Sequence, residues 1–248
     1  MRGFWPIFKR ELFAFFVTPL AWVLMASFLL FQGAHFFVIL LHFANQGELS
    51  VDGGPIQGFF GGTILIYLPL LLVCPLLTMR SFAEERKAGT IEALLTAPVT
   101  PTGVVLGKYF ATLFVYFATW APTGLYVFAL SRFGEVDMRL VGTSYFAIAL
   151  VGAGYLSIGT LASALTTNQL TAAVIGSGAL LGLFLLAMGE FIFDPGILHD
   201  ICNHVSVWSM MNDFSHGLID SRRIVFYGTL IVLPLFFTVR TVESWRWG

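Results

Sequence analysis

Six stretches of this chain, residues 19–41, 59–79, 109–130, 140–165, 170–188 and 224–239, contain no Asp, Glu, Lys or Arg. An apolar helix of about 20 residues crosses the hydrocarbon of a bilayer, and repeated charge-free runs near this length belong in lipid. Composition agrees. Of the 248 residues, 57% are hydrophobic and 11% are charged, against about 25% charged in an ordinary soluble domain. The expected fold is an all-α membrane protein, a single transmembrane domain over 1–248 with six transmembrane helices. A formal net charge of −1 gives no basic surface for nucleic acid. Cys74, inside a span, and Cys202, between spans, do not form a disulfide framework. The first apolar run is too long for a secretory core and lacks a small-residue cleavage site, so the first span is expected to remain as an uncleaved anchor.

The connections carry the rest of the pattern. Residues 1–18 mix aromatics with Lys9, Arg10 and Glu11. Phe8, Leu12, Phe15 and Phe16 recur at helical spacing with the charges on the other side, which predicts an elbow helix lying in the interface plane. Pro19 then resets the direction. In span one, Gln32 and His35 read as groups turned toward neighbouring helices. No carboxylate lies within those turns to make His35 and His42 a proton relay. Pro69 and Pro75 predict a kinked second span whose freed carbonyls need partners on nearby helices. Glycine pairs four apart, Gly58 with Gly62, Gly103 with Gly107 and Gly178 with Gly182, offer close helix contact. Residues 191–223 are too polar to span and too apolar for a plain loop. Asp194 before Pro195 predicts an N-cap and a first helical position. Ile197, Leu198, Ile201 and Val205 follow at helical spacing, so short re-entrant helices are expected between spans five and six.

Six spans place both termini on one side. With the termini inside, the inner segments carry Arg2, Lys9, Arg10, Arg80, Arg86, Lys87, Lys108, Arg240 and Arg246, and the outer ones Arg132, Arg139, Arg222 and Arg223. Lys and Arg concentrate on the cytoplasmic side, so the termini and residues 80–108 are expected in the cytoplasm, and 191–223 outside. Lys108 sits at the start of span three as a headgroup anchor, and Arg222 and Arg223 sit before span six as membrane-interface anchors with Asp220 beside them for salt bridges.

Residues 80–108 form a long connection that is both charged and helix-favouring. Ser81 and Glu84 have capping-box spacing. Glu84, Glu85, Arg86 and Lys87 supply solvated charge, Gly89 and Thr90 break the helix, and Thr90 is placed to cap a second short helix over 91–95 before Pro98 and Pro101. Ile91, Leu94 and Leu95 at the tip need cover, from a partner protein or from the bilayer face.

Arg80 after span two, Ala-Glu-Glu-Arg at 83–86, Gly-Thr-Ile-Glu-Ala-Leu-Leu at 89–95, Ala-Pro-Val at 97–99, then Gly107 and Lys108 at span three together resemble the type-2 ABC transporter permease family. Phe214-Ser-His-Gly-Leu-Ile-Asp-Ser-Arg222, and Val242-Glu-Ser-x-Arg-Trp247 after span six, are similar to its gliding-motility (GldF-like) branch. The resemblance implies that the segment after span two is a coupling helix docking on a cytoplasmic ABC ATPase. Glu84, Glu85, Arg86, Lys87, Gly89, Thr90 and Glu92 would be the docking residues. It implies a second permease subunit, identical or different, and re-entrant helices closing the outer side. It implies ATP and Mg held by the ATPase with no cofactor on this chain, and a place in the bacterial inner membrane. The work done would be export of a substrate, or force delivered to periplasmic proteins.

Residues 101–109 lack the spacing and the Ser or Thr of a phosphate loop. His199, Cys202 and His204, with Asp200, Asp213 and His216 nearby, are metal-ligand types at no metal-site spacing, and a polar rim on re-entrant helices accounts for them equally well. An intramembrane enzyme is the alternative class, but Ser157 and Ser177 have no His within helical reach in sequence. A membrane scaffold without transport is the third.

Overall fold

The computed structural model describes residues 3–46, 54–61, 63–91, 98–132 and 136–245. Among them there is no strand. The helices are α1 (Phe4–Val17), α2 (Pro19–Gln46), α3 (Pro55–Phe60), α4 (Leu70–Thr78), α5 (Ala83–Lys87), α6 (Pro101–Trp120), α7 (Gly124–Leu130), α8 (Met138–Leu165), α9 (Gln169–Met188), α10 (Ile197–Val205), α11 (Val207–Ser215) and α12 (Ser221–Ser244). Six segments are long and apolar enough to cross a membrane: Pro19–Ala44, Ile64–Lys87, Pro101–Leu130, Met138–Leu165, Gln169–Phe191 and Ser221–Ser244.

Their ends follow capping chemistry rather than hydropathy. The third span starts at Pro101, well before residue 109, because the Thr100 side chain accepts from the Gly103 amide and Pro101 takes the first helical position. The sixth runs past both ends of 224–239. Asp220 caps it, and charged residues at its termini do not interrupt a helix that has already begun. The expected cap at Asp194 is not used. Residues 194–196 remain outside the helix, and α10 begins at Ile197 with Gly196 in the cap position and no side-chain cap.

The second span is the broken one. A 3₁₀ turn at Ile64–Ile66 precedes α4, which carries Pro75 inside it. The Ile66 carbonyl is taken by the Gln32 amide at 3.4 Å, and His35 bridges the Gln32 and Thr63 side chains while stacking on Phe59. The polar pair of span one therefore satisfies the break in span two.

The centre of the molecule is α8, which packs against α4, α6, α9, α11 and α12. Its most apolar stretch is 72% buried, against 22% for the fifth span and 17% for the sixth. Small residues permit this. A Cβ on Gly152 would collide with the Tyr116 ring, and one on Gly159 with Thr78 Oγ1. Tyr116 and Tyr109 then donate to the Ile148 and Ala153 carbonyls of α8 at 3.0 and 2.9 Å. Of the expected glycine contacts, Gly107 meets Phe4 and Ile7 of α1. Gly178 and Gly182 face nothing within 4 Å in this chain, and Gly62 lies outside the described residues.

Candidate functional site

The segment after span two is held at its base and exposed over residues 87–90, while Ile91 packs against the core. It opens where α4 ends, and its short helix α5 stops because Gly89 takes a left-handed conformation (φ 69°) that a side chain would resist. Lys87, Ala88, Gly89 and Thr90 are exposed. Glu92, Leu94 and Leu95 lie outside the described residues.

Three ties fix the base. The first is a square of four charges joining α1, α5 and α6. Lys108 Nζ lies 2.9 Å from Glu11 and 3.1 Å from Glu85, and Arg10 reaches the same two carboxylates at 2.7 and 2.5 Å. Lys108 is 2% exposed and also sits over the Phe82 ring. It is therefore not a headgroup anchor. Gly107 brings α1 close enough for Glu11 to capture the ammonium before it can reach the membrane surface. The same contact corrects the elbow's expected charge pattern, since Glu11 turns inward while Lys9 and Arg10 stay outside. Burial alone would raise the Glu11 carboxyl. The Lys108 charge and hydrogen bonds from Arg10 and Lys108 outweigh it and hold the group below the usual carboxylate range.

The second tie is Arg86, which donates to the Ala164 and Thr166 carbonyls at 2.9 and 3.2 Å and stacks on Trp245. These carbonyls end α8, where orphan acceptors and the negative end of the helix dipole favour a cation. The third is the Ser163 hydroxyl of α8, which accepts from the Phe82 and Ala83 amides at 3.0 and 3.2 Å. This replaces the capping box expected from Ser81. Glu84 pairs with Arg80 at 2.8 Å instead.

The seven sequence candidates thus divide. Glu84, Glu85 and Arg86 form the base, Lys87, Gly89 and Thr90 form the exposed turn, and Glu92 is not described. Glu11, Arg10 and Ser163 were missed. Their role depends on helices distant in sequence, and only Glu11's place among apolar neighbours hinted at it.

At the opposite end, Arg223, expected as an interface anchor, turns inward. It is 6% exposed and pairs with Asp213 at 2.9 Å, not with Asp220, while donating to the Asn203 and Ser206 carbonyls. The α10–α11 junction supplies these acceptors and so captures the guanidinium. Arg222 is exposed. Cys202 is buried against Gly189, His204 packs on the Phe226 ring, and His199 lies beside Asp200. Among the described residues no three His, Cys, Asp or Glu gather to hold a metal. Ser157 donates to the Gly154 and Leu230 carbonyls, a helix-to-helix bond.

Residues 48–239, most of the chain, match the family model described as ABC-2 family transporter protein. No curated protein matches the sequence.

Proposed function

The chain belongs to the ABC-2 family of transporter proteins and is a multi-pass membrane permease component of an ABC transporter; from that premise we propose that it couples to a separate cytoplasmic ATPase through the turn 87–90. The ATPase supplies ATP and Mg, and this subunit performs no hydrolysis. A second permease subunit completes the path, against the fifth and sixth spans that this chain leaves mostly uncovered. The complex exports a substrate or transmits force across the bacterial inner membrane, with both termini cytoplasmic. The gliding-motility setting rests on the sequence blocks at 214–222 and 242–247.

The observation that carries this reading is a polar, exposed turn on a base tied to three other helices. A solvated connector that merely joined two spans would not need such bracing. A segment that receives load does, because a push at a floppy tip moves nothing else. Lys87→Glu with Thr90→Arg changes only exposed side chains. It is expected to reduce copurification of the ATPase at least tenfold while the permease still inserts at its normal level. Unchanged copurification would overturn the assignment.

A further inference from the structure

The inner end of the second span is interrupted between Thr78 and Ala83. In an unbroken helix the Ala83 amide would donate to the Met79 carbonyl. Here both groups turn to one hydroxyl of another helix. Ser163 Oγ donates to Met79 O at 3.0 Å and accepts from Ala83 N at 3.2 Å and from Phe82 N at 3.0 Å. All hydrogen-bonding capacity of that hydroxyl is engaged. The hydroxyl stands in the place of a missing helix rung.

The approach that makes this possible is set one turn earlier. Gly159 lies four residues before Ser163, on the same face of α8. Its lack of a side chain lets Thr78 sit where a Cβ would be. Ser163 is fully buried, so water does not compete for these bonds. Arg86 adds a second attachment to the end of the same helix.

We propose that Ser163 is a positioning residue for coupling: it clasps the break between α4 and α5 and hands movement of the docking segment to α8. This rests on the docking reading above and adds the route by which load enters the bundle. Because α8 touches α4, α6, α9, α11 and α12, load on this one clasp reaches both ends of the molecule. Opening the clasp frees the Met79 carbonyl and the Ala83 amide to pair with each other. The helix then runs through the break, and the exposed turn is aimed elsewhere.

The test is a pair of distance measurements on the full-length permease in nanodiscs, with Cys74 and Cys202 replaced by alanine. Spin labels at Ala88→Cys and Leu170→Cys report the docking turn against α9. Labels at Val174→Cys and Val232→Cys report the bundle itself. Ser163→Ala is expected to shift or split the first distance by about 5 Å, one helical turn, and to leave the second unchanged. An unmoved first distance overturns the proposal. So does equal movement of both, which is general loosening. In the unlabelled permease–ATPase complex, Ser163→Ala is expected to keep the ATPase bound while reducing its stimulation by the permease several-fold. Full stimulation with the clasp removed also overturns the route. If the wild-type chain fails to bind an ATPase, the docking reading falls, and the distances alone judge the clasp. Should Ser163→Ala not insert, Ser163→Cys keeps the volume, weakens the bonds, and is expected to give the same shift.

Discussion

Lys108 is a cation that an apolar neighbourhood would not accept alone. Its burial is tolerable because two carboxylates face it and Arg10 balances the second of them. Replacing such a group by a well-packed apolar one is harmless only when its partners go too, and removing one member of a buried pair costs about 3–5 kcal/mol. Lys108→Met is therefore expected to destabilise the permease by about that amount in detergent-solubilised melts. Lys108→Met with Glu85→Gln is expected to recover part of the loss, because one stranded carboxylate is neutralised. The square also has an acid limit. Glu11 is more acidic in the folded chain than its ordinary 4.5, so it stabilises fully above that pH. The contribution disappears as pH falls below 4.5 through the lower folded value. Melting of the wild type from pH 7 to 3 is expected to show an acid loss that Glu11→Gln reduces, the variant being weaker at neutral pH. Parallel curves for the two would remove Glu11 from the account.

At the scale of elements, the bundle depends on how closely α4 and α6 approach α8. Gly152 is one of the two closest approaches, with the Tyr116 ring where its Cβ would be. Gly152→Ala is expected to cost about 1–3 kcal/mol as overpacking, and Tyr116→Val is expected to relieve much of that in a double-mutant cycle. Additive losses would mean that the two residues do not meet. The α10–α11 hairpin depends on one guanidinium in the same way. Arg223→Met removes the donor to Asp213, Asn203 and Ser206. It is expected to speed proteolysis or hydrogen exchange over residues 197–215 while the core of α8 keeps its protection. These contacts were not legible in the sequence. Hydropathy locates a span, but it does not say which glycine faces which ring, or that Arg223 turns away from Asp220 toward Asp213. The signals that did survive were local ones: Pro19 at a helix start, Gly89 at a helix stop, and the prolines of the second span, whereas Pro101, expected to end a short helix, instead starts the third span.

For the molecule as a whole, the six-helix plan was legible because charge-free runs near 20 residues leave little choice in lipid, and the family match agrees with it. The braced site was half legible. Its charged turn stands out between two oily spans, whereas its supports, Glu11, Ser163 and the end of α8, are brought to it only by folding. Orientation links the two. The square, the Ser163 contacts and the exposed turn all lie at one end of the bundle, and Arg223 with the α10–α11 hairpin at the other. Lys and Arg outnumber their outer counterparts on the side assigned to the cytoplasm. Both native thiols are buried, so a single cysteine introduced at an exposed position gives a clean report. Lys87→Cys is expected to resist a membrane-impermeant thiol reagent in intact cells and to react in inverted vesicles. Met138→Cys, exposed at the start of α8, is expected to do the reverse. Labelling of Lys87→Cys from outside would invert the molecule, place the braced turn beyond reach of any cytoplasmic ATPase, and leave its three ties without a load to carry.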